Sequence, residues 1–148
     1  MSSRKDTTAL ITRGVRRSLS ALGWETIVEF TPEAGRRIDV LGVDAKGVFW
    51  AIEVKSSLED LRADRKWRDY LSWCDAFSFA VDLAFPIEAL PEDVGVLRAD
   101  AFAAESVRPA PMHPLPAARR TALLRRFARH AAARLRRLED PAPFGEGA

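Results

Sequence analysis

Asp39, Glu53 and Lys55 are residues whose types and spacing could do chemistry together. Two carboxylates that face one point can hold a hard divalent cation. Mg2+ typically takes one or two carboxylates and completes its shell with water and substrate phosphate. Such an ion acidifies a bound water and neutralises charge on a scissile phosphate. A lysine beside it can orient the attacking water or stabilise the charge of the transition state. The chemistry is hydrolysis of a phosphodiester, provided that the fold brings the three side chains together.

A β-hairpin would do so. Two apolar-rich, β-branched runs, Arg36 to Leu41 and Val48 to Lys55, flank Asp44-Ala45-Lys46-Gly47, a sequence suited to a tight turn. A three-residue loop with Gly47 left-handed pairs Asp44 with Val48, and the same register sets Asp39 opposite Glu53. Directly opposed residues share a face of the sheet, and period-two alternation adds Lys55 to that face. Val48, Trp50, Ile52 and Val54 then point the other way as a buried stripe. The ordinary alternative for these residues is a cross-strand charge pair on a solvent-facing sheet.

Asp39 followed by Glu53-Val54-Lys55 resembles the PD-(D/E)xK motif of metal-dependent nucleases, with Ile38 where the motif's name has proline. Further stretches narrow the resemblance. Gly35 to Asp39, Ile52 to Ser57, Arg62 to Trp67, Tyr70, Cys74-Asp75 and Phe79-Ala80-Val81 are similar to the MmcB-like family of bacterial DNA-repair proteins, over roughly residues 8 to 100. The resemblance implies a Mg2+ or Mn2+ ion on Asp39, Glu53 and the Val54 carbonyl, and DNA as substrate. It also implies that Lys66 and Tyr70, four residues apart on one helical face, stand beside the site, where such residues can contact DNA. Many nucleases with this motif carry a catalytic glutamate on their first helix. The first helix here has no acid under its expected span, and Glu29 on the following strand is the candidate replacement. Arg36, Arg37, Lys66, Arg125 and Arg129 are the candidate phosphate contacts.

The remaining elements form the frame. Residues 7 to 22 read as a helix from Leu10 or Ile11, Val15, Leu19 and Leu22, with Gly23 as its stop. Arg13, Arg16 and Arg17 fall on its polar side. Residues 25 to 30 read as a strand and 31 to 35 as a turn. Ser57 suits a helix N-cap with Asp60 three residues on. Helical spacing then continues to Cys74, with a break near Asp64 if that residue caps a second segment. Residues 75 to 81 and 94 to 99 read as strands, and 101 to 109 as a weaker partner strand.

These elements predict an α/β fold of restriction-endonuclease-like type: an α-β-β-β-α-β core with a mixed central sheet and an added basic C-terminal helix. The expected organisation is a nuclease-like domain over residues 1–110, then a proline-rich linker, basic helix and tail over 111–148, packed on the same domain. Helix 117–139 shows an apolar stripe of Leu124, Phe127, Ala131, Leu135 and Leu138 among eight arginines.

Composition bounds the function. The 148 residues are 47% apolar and 30% charged, as in globular domains. No apolar run approaches a membrane span, and the N-terminus lacks the apolar stretch of a secretory signal. The single cysteine, Cys74, excludes an intramolecular disulfide and fits the cytoplasm. The net charge of +2 is uneven: residues 1–115 carry −3 and residues 116–148 carry +5. That asymmetry suits a polyanionic partner. The expected partners are DNA and DNA-repair proteins, and a second copy of the chain to help grip DNA, without a membrane. The expected activity is a metal-dependent deoxyribonuclease. The alternative is a catalytically inactive nuclease-like module that holds DNA or recruits partners.

Overall fold

Ser3 opens the first helix through a reciprocal capping box. Its hydroxyl accepts the Asp6 amide at 3.1 Å and the Asp6 carboxylate accepts the Ser3 amide at 3.3 Å. A computed structural model describes residues 3–33 and 36–142, and in it helix α1 runs Arg4–Ala21. The helix therefore begins three residues before the expected start at residue 7. Ile11, Val15 and Leu19 are buried, whereas Leu10 and Leu22 are exposed. Gly23 ends the element at φ +91°, a conformation that costs an L side chain energy.

Six strands follow: β1 (Glu25–Glu33), β2 (Arg36–Val43), β3 (Phe49–Val54), β4 (Ala76–Val81), β5 (Gly95–Ala99) and β6 (Ala104–Arg108). They form one mixed sheet in the order β1-β2-β3-β4-β5-β6. Pairing is parallel between β3, β4 and β5 and antiparallel elsewhere. The expected α/β class and the α-β-β-β-α-β order are present. The expected turn at residues 31–35 is shorter, because β1 continues to Glu33. Ala34 and Gly35 lie outside the described residues.

The hairpin has the expected register. Val43 faces Phe49 and Val40 faces Ile52. The loop closes through Asp44, whose amide donates to the Val48 carbonyl and whose carboxylate accepts the Lys46 and Val48 amides. Gly47 sits at φ +83°.

Even-numbered residues of the central strands pack under α1: Val40, Ile52, Val54 and Ala80 meet Ile11, Val15 and Leu19. The opposite face carries an aromatic cluster, in which Trp67 stacks on Phe77 at 5.4 Å and meets Phe79 edge-on at 5.1 Å. Because both faces are covered, β4 is buried along its whole length. Cys74 is buried, and that burial pushes its thiol up to about 12.

Between β3 and β4 the continuous helix expected through residue 74 is replaced by two shorter pieces. Helix α2 spans Leu58–Ala63 and a 3₁₀ segment spans Trp67–Trp73. Asp64 between them is extended, at φ −85° and ψ 109°. Its Oδ1 accepts the amides of Lys66 and Trp67 at 2.9 and 3.1 Å. The three-residue repeat of a 3₁₀ turn puts Trp67 and Tyr70 on one buried face.

The chain forms two compact units, Met1–Leu115 and Pro116–Ala148. Residues 111–115 thus belong with the first, and Asp75 holds them there. The Asp75 carboxylate accepts the Phe49 and Leu115 amides at 2.7 and 2.8 Å, and its carbonyl accepts the His113 amide at 2.7 Å. The second unit is built on α3 (Ala117–Glu139). The expected stripe on α3 is not a buried face throughout: Leu124, Leu135 and Leu138 are exposed. A repeat of apolar residues reads the same in a sequence whether or not anything covers it. No described helix is long and apolar enough to cross a membrane.

Candidate metal and nucleic-acid site

The β2–β3 ladder stops one pair short of the two carboxylates. Its last paired residues are Val40 and Ile52, and the same register continued sets Asp39 opposite Glu53. There the side chains take over the bonding. The Asp39 amide donates to Glu53 Oε1 at 3.1 Å, and the Val54 amide donates to Asp39 Oδ2 at 2.8 Å. Each carboxylate keeps a second oxygen outside these two bonds, so the pair stays held in position while a ligand position remains on each.

Burial dominates the electrostatics. Glu53 is 5% exposed, and its burial, together with the Asp39 carboxylate, pushes its carboxyl up to about 9. Burial also raises Asp39, against the pull of the Val54 amide and the Lys55 charge. Burial and mutual repulsion both work against ionising the two together, and a nearby cation would offset that cost.

Lys55 does not supply that compensation alone, because it is shared with a third acid. Its Nζ lies 2.6 Å from Asp64 Oδ2. Burial pushes the Asp64 carboxyl up, but the Lys55 bond and the two backbone amides outweigh it and hold the group below its ordinary value. In the sequence Asp64 reads only as the cap of a second helical segment. No local signal in the sequence marks it as the partner of a lysine nine residues earlier.

Tyr70 reaches the backbone beside the site from the 3₁₀ segment. Its hydroxyl donates to the Arg37 carbonyl at 2.9 Å, two residues before Asp39. Burial, then the Glu53 carboxylate, pushes the hydroxyl up to about 12. Lys66 does not share this face, contrary to the four-residue helical spacing. It is exposed, ahead of the first 3₁₀ turn. Arg36 pairs with Asp69 at 2.8 Å, and Arg37 is exposed. Arg125 and Arg129 are exposed on α3.

Glu29 has an unusual backbone. The β1–β2 register, continued between Val28–Val40 and Phe30–Ile38, puts Glu29 opposite Asp39. Glu29, Asp39 and Glu53 thus occupy one row across three strands. Glu29 sits at φ +52°, a region sparsely populated by side chains other than glycine. It lines, with Asp39, an 840 Å³ cleft whose other wall is the polar face of α1, including Lys5, Arg13, Arg16 and Arg17. Among the described residues, no group of three or more His, Cys, Asp or Glu stands where it could hold a metal ion.

A family model described as DNA repair protein MmcB-like matches residues 1–142. The chain belongs to the MmcB-like DNA repair protein family. Among solved structures it is similar to the SPO1766 protein of unknown function from Silicibacter pomeroyi, at 49% identity over 95% of each chain and a TM-score of 0.90. No curated protein matches it.

The donor set of this MmcB-like chain fits a divalent cation of the Mg2+ class. It is all oxygen, it contains two carboxylates, and the Glu53 proton is one that a cation would displace. Asp39 and Glu53 are the residues that could hold such an ion.

Proposed function

We propose that this MmcB-like protein is a Mg2+- or Mn2+-dependent deoxyribonuclease that hydrolyses phosphodiester bonds during DNA repair in a bacterial cytoplasm. The observation that carries this reading is the facing pair of buried carboxylates, Asp39 and Glu53, locked by each other's strand. The cation, when bound, supplies an acidified water and neutralises the scissile phosphate. The chain's own residues do the rest. Asp39 and Glu53 hold the site at a fixed spacing. Lys55, steadied by Asp64, directs its remaining N–H bonds to the water or to the oxygens on which charge develops. Tyr70 fixes the backbone ahead of Asp39. Arg37, Lys66 and the α3 residues Arg125 and Arg129 contact phosphates, and a second copy or another repair protein extends the grip.

The test is cleavage of labelled single-stranded, duplex and branched DNA with Mg2+ or Mn2+. Wild-type cutting that requires metal and disappears in both Asp39→Ala and Glu53→Ala supports the reading. Cutting that persists in either variant removes it.

A second reading has its own support. Lys55 is engaged by Asp64, and α1 carries only Asp6, in its capping box, so the protein would hold DNA or recruit partners without cutting. Salt-sensitive DNA binding retained by both variants, with no cleavage of any substrate, selects it.

A further inference from the structure

Gly14 has the poorest helix propensity of the residues in α1, and the structure shows why glycine stands there. The turn between β5 and β6 presses on the helix at this point. A Cβ on Gly14 would overlap the carbonyl oxygen of Asp100 and crowd that of Ala103. The turn is itself stiff. Asp100 Oδ1 accepts the amides of Phe102 and Ala103 at 2.8 and 3.0 Å, and the Asp100 amide donates to the Ala103 carbonyl at 3.0 Å.

This close approach holds Phe102 beside the helix with its side chain in water. Phe102 is 68% exposed. The Arg13 guanidinium carbon lies 5.7 Å from its ring centre, and Arg17 Nε donates to its carbonyl at 3.0 Å. Arg13 and Arg17 are also wall residues of the cleft that reaches Asp39. An exposed aromatic ring on a turn, flanked by two arginines, therefore stands beside a cationic cleft whose lining reaches Asp39.

We infer that this cleft is the path of single-stranded DNA, with Phe102 as the platform on which a base stacks. The inference rests on the DNA reading above and names the form of DNA that the site takes. Lys5 and Arg17 are twelve residues apart on α1, about 18 Å of helix rise, long enough to follow a short run of backbone phosphates. Base faces in a duplex are covered by their neighbours, so a flat ring beside phosphate-binding arginines is of use to an unpaired strand. Aromatic platforms set in positive grooves are how proteins bind such strands without reading their sequence. An acidic protein segment would match the arginines but has no need of a π face.

The experiment is fluorescence anisotropy of the full chain with a labelled oligothymidylate and with a duplex of the same length, in EDTA so that no cleavage intervenes. Single-strand binding is expected to be the tighter at equal salt. Phe102→Ala and Phe102→Leu should each weaken it about fivefold or more, the scale of removing one base–aromatic stack, while Phe102→Trp retains it. Arg13→Ala combined with Arg17→Ala should lower the slope of log affinity against log salt by about 0.7 for each phosphate that the protein no longer neutralises. Unchanged melting temperatures would show that the variants fold. Equal or tighter binding of duplex overturns the inference, and so does Phe102→Leu binding like the wild type. Both outcomes leave the nuclease reading standing. Wild-type protein that binds neither DNA overturns the path and the DNA reading together.

Discussion

The Lys55 ammonium nitrogen lies 2.6 Å from Asp64 Oδ2, with the two side chains only 6% and 15% exposed. Asp64 also caps the amides of Lys66 and Trp67. One carboxylate thus steadies the site's cation and breaks the chain between α2 and the 3₁₀ segment.

Removing that carboxylate leaves a buried ammonium without its partner. Asp64→Ala is expected to cost about 3–5 kcal/mol in urea denaturation at neutral pH. Asp64→Asn, which still accepts the backbone amides, should cost less. The folded Asp64 carboxyl is held below its ordinary 3.8. Its stabilisation is therefore full above that value and fades as pH falls through the lower folded one. Wild type should lose this increment in strong acid while Asp64→Asn has none to lose. Parallel acid unfolding of the two would contradict the assignment.

Glu53 titrates in the opposite sense. Its folded carboxyl is raised from 4.5 to about 9, so the fold favours the protonated form. That contribution is complete below about pH 4.5 and is lost as pH rises toward 9. Without metal, wild type should melt progressively lower across this window, and Glu53→Gln should be flatter. Adding Mg2+ or Mn2+ near pH 7 should expel a proton, read by calorimetry in buffers of different ionisation enthalpy. Metal should raise the melting temperature of wild type and leave Glu53→Gln unmoved.

Gly14→Ala separates propensity from packing. In an open helix the change stabilises by about 1 kcal/mol. Here the new methyl meets the Asp100 carbonyl, and overpacking of this kind costs about 1–3 kcal/mol. The expected result is a lower melting temperature. A stabilised variant would show that the β5–β6 turn yields easily, and would weaken the case for a rigid Phe102.

Asp75 ties the segment before Pro116 to the sheet through the Phe49 and Leu115 amides. Hydrogen bonds to a charged group contribute about 1.5–3 kcal/mol each. Asp75→Ala is expected to cost about 3 kcal/mol or more in chemical denaturation, and to expose the chain near His113 to proteolysis. Unchanged resistance at that segment would mean that Asp75 is not its anchor.

Much of the site could be read along the chain because its causes are local. Asp44 closes the turn, Gly47 takes the left-handed position, and strand alternation carries the register back to Asp39 and Glu53. Each step depends on residues within a few positions of each other. Helix 117–139 and the succession of strands along the chain were legible for the same reason, through periodicity and turn residues. Other features depended on which elements pack together. Trp67 at the head of the 3₁₀ segment packs on Phe77 and Phe79 of β4, a contact between separate elements.

By itself the sequence determined that two carboxylates and a lysine converge on one hairpin face, since backbone period and turn chemistry require no distant partner. Only the tertiary structure decided that Lys55 is held by Asp64, that Glu29 takes a positive φ within β1 opposite Asp39, and that Phe102 lies beside an arginine 85 residues earlier. These relations arise where separate elements meet. Burial, close approach and shared hydrogen bonds set them there, and none of those leaves a pattern in neighbouring residues.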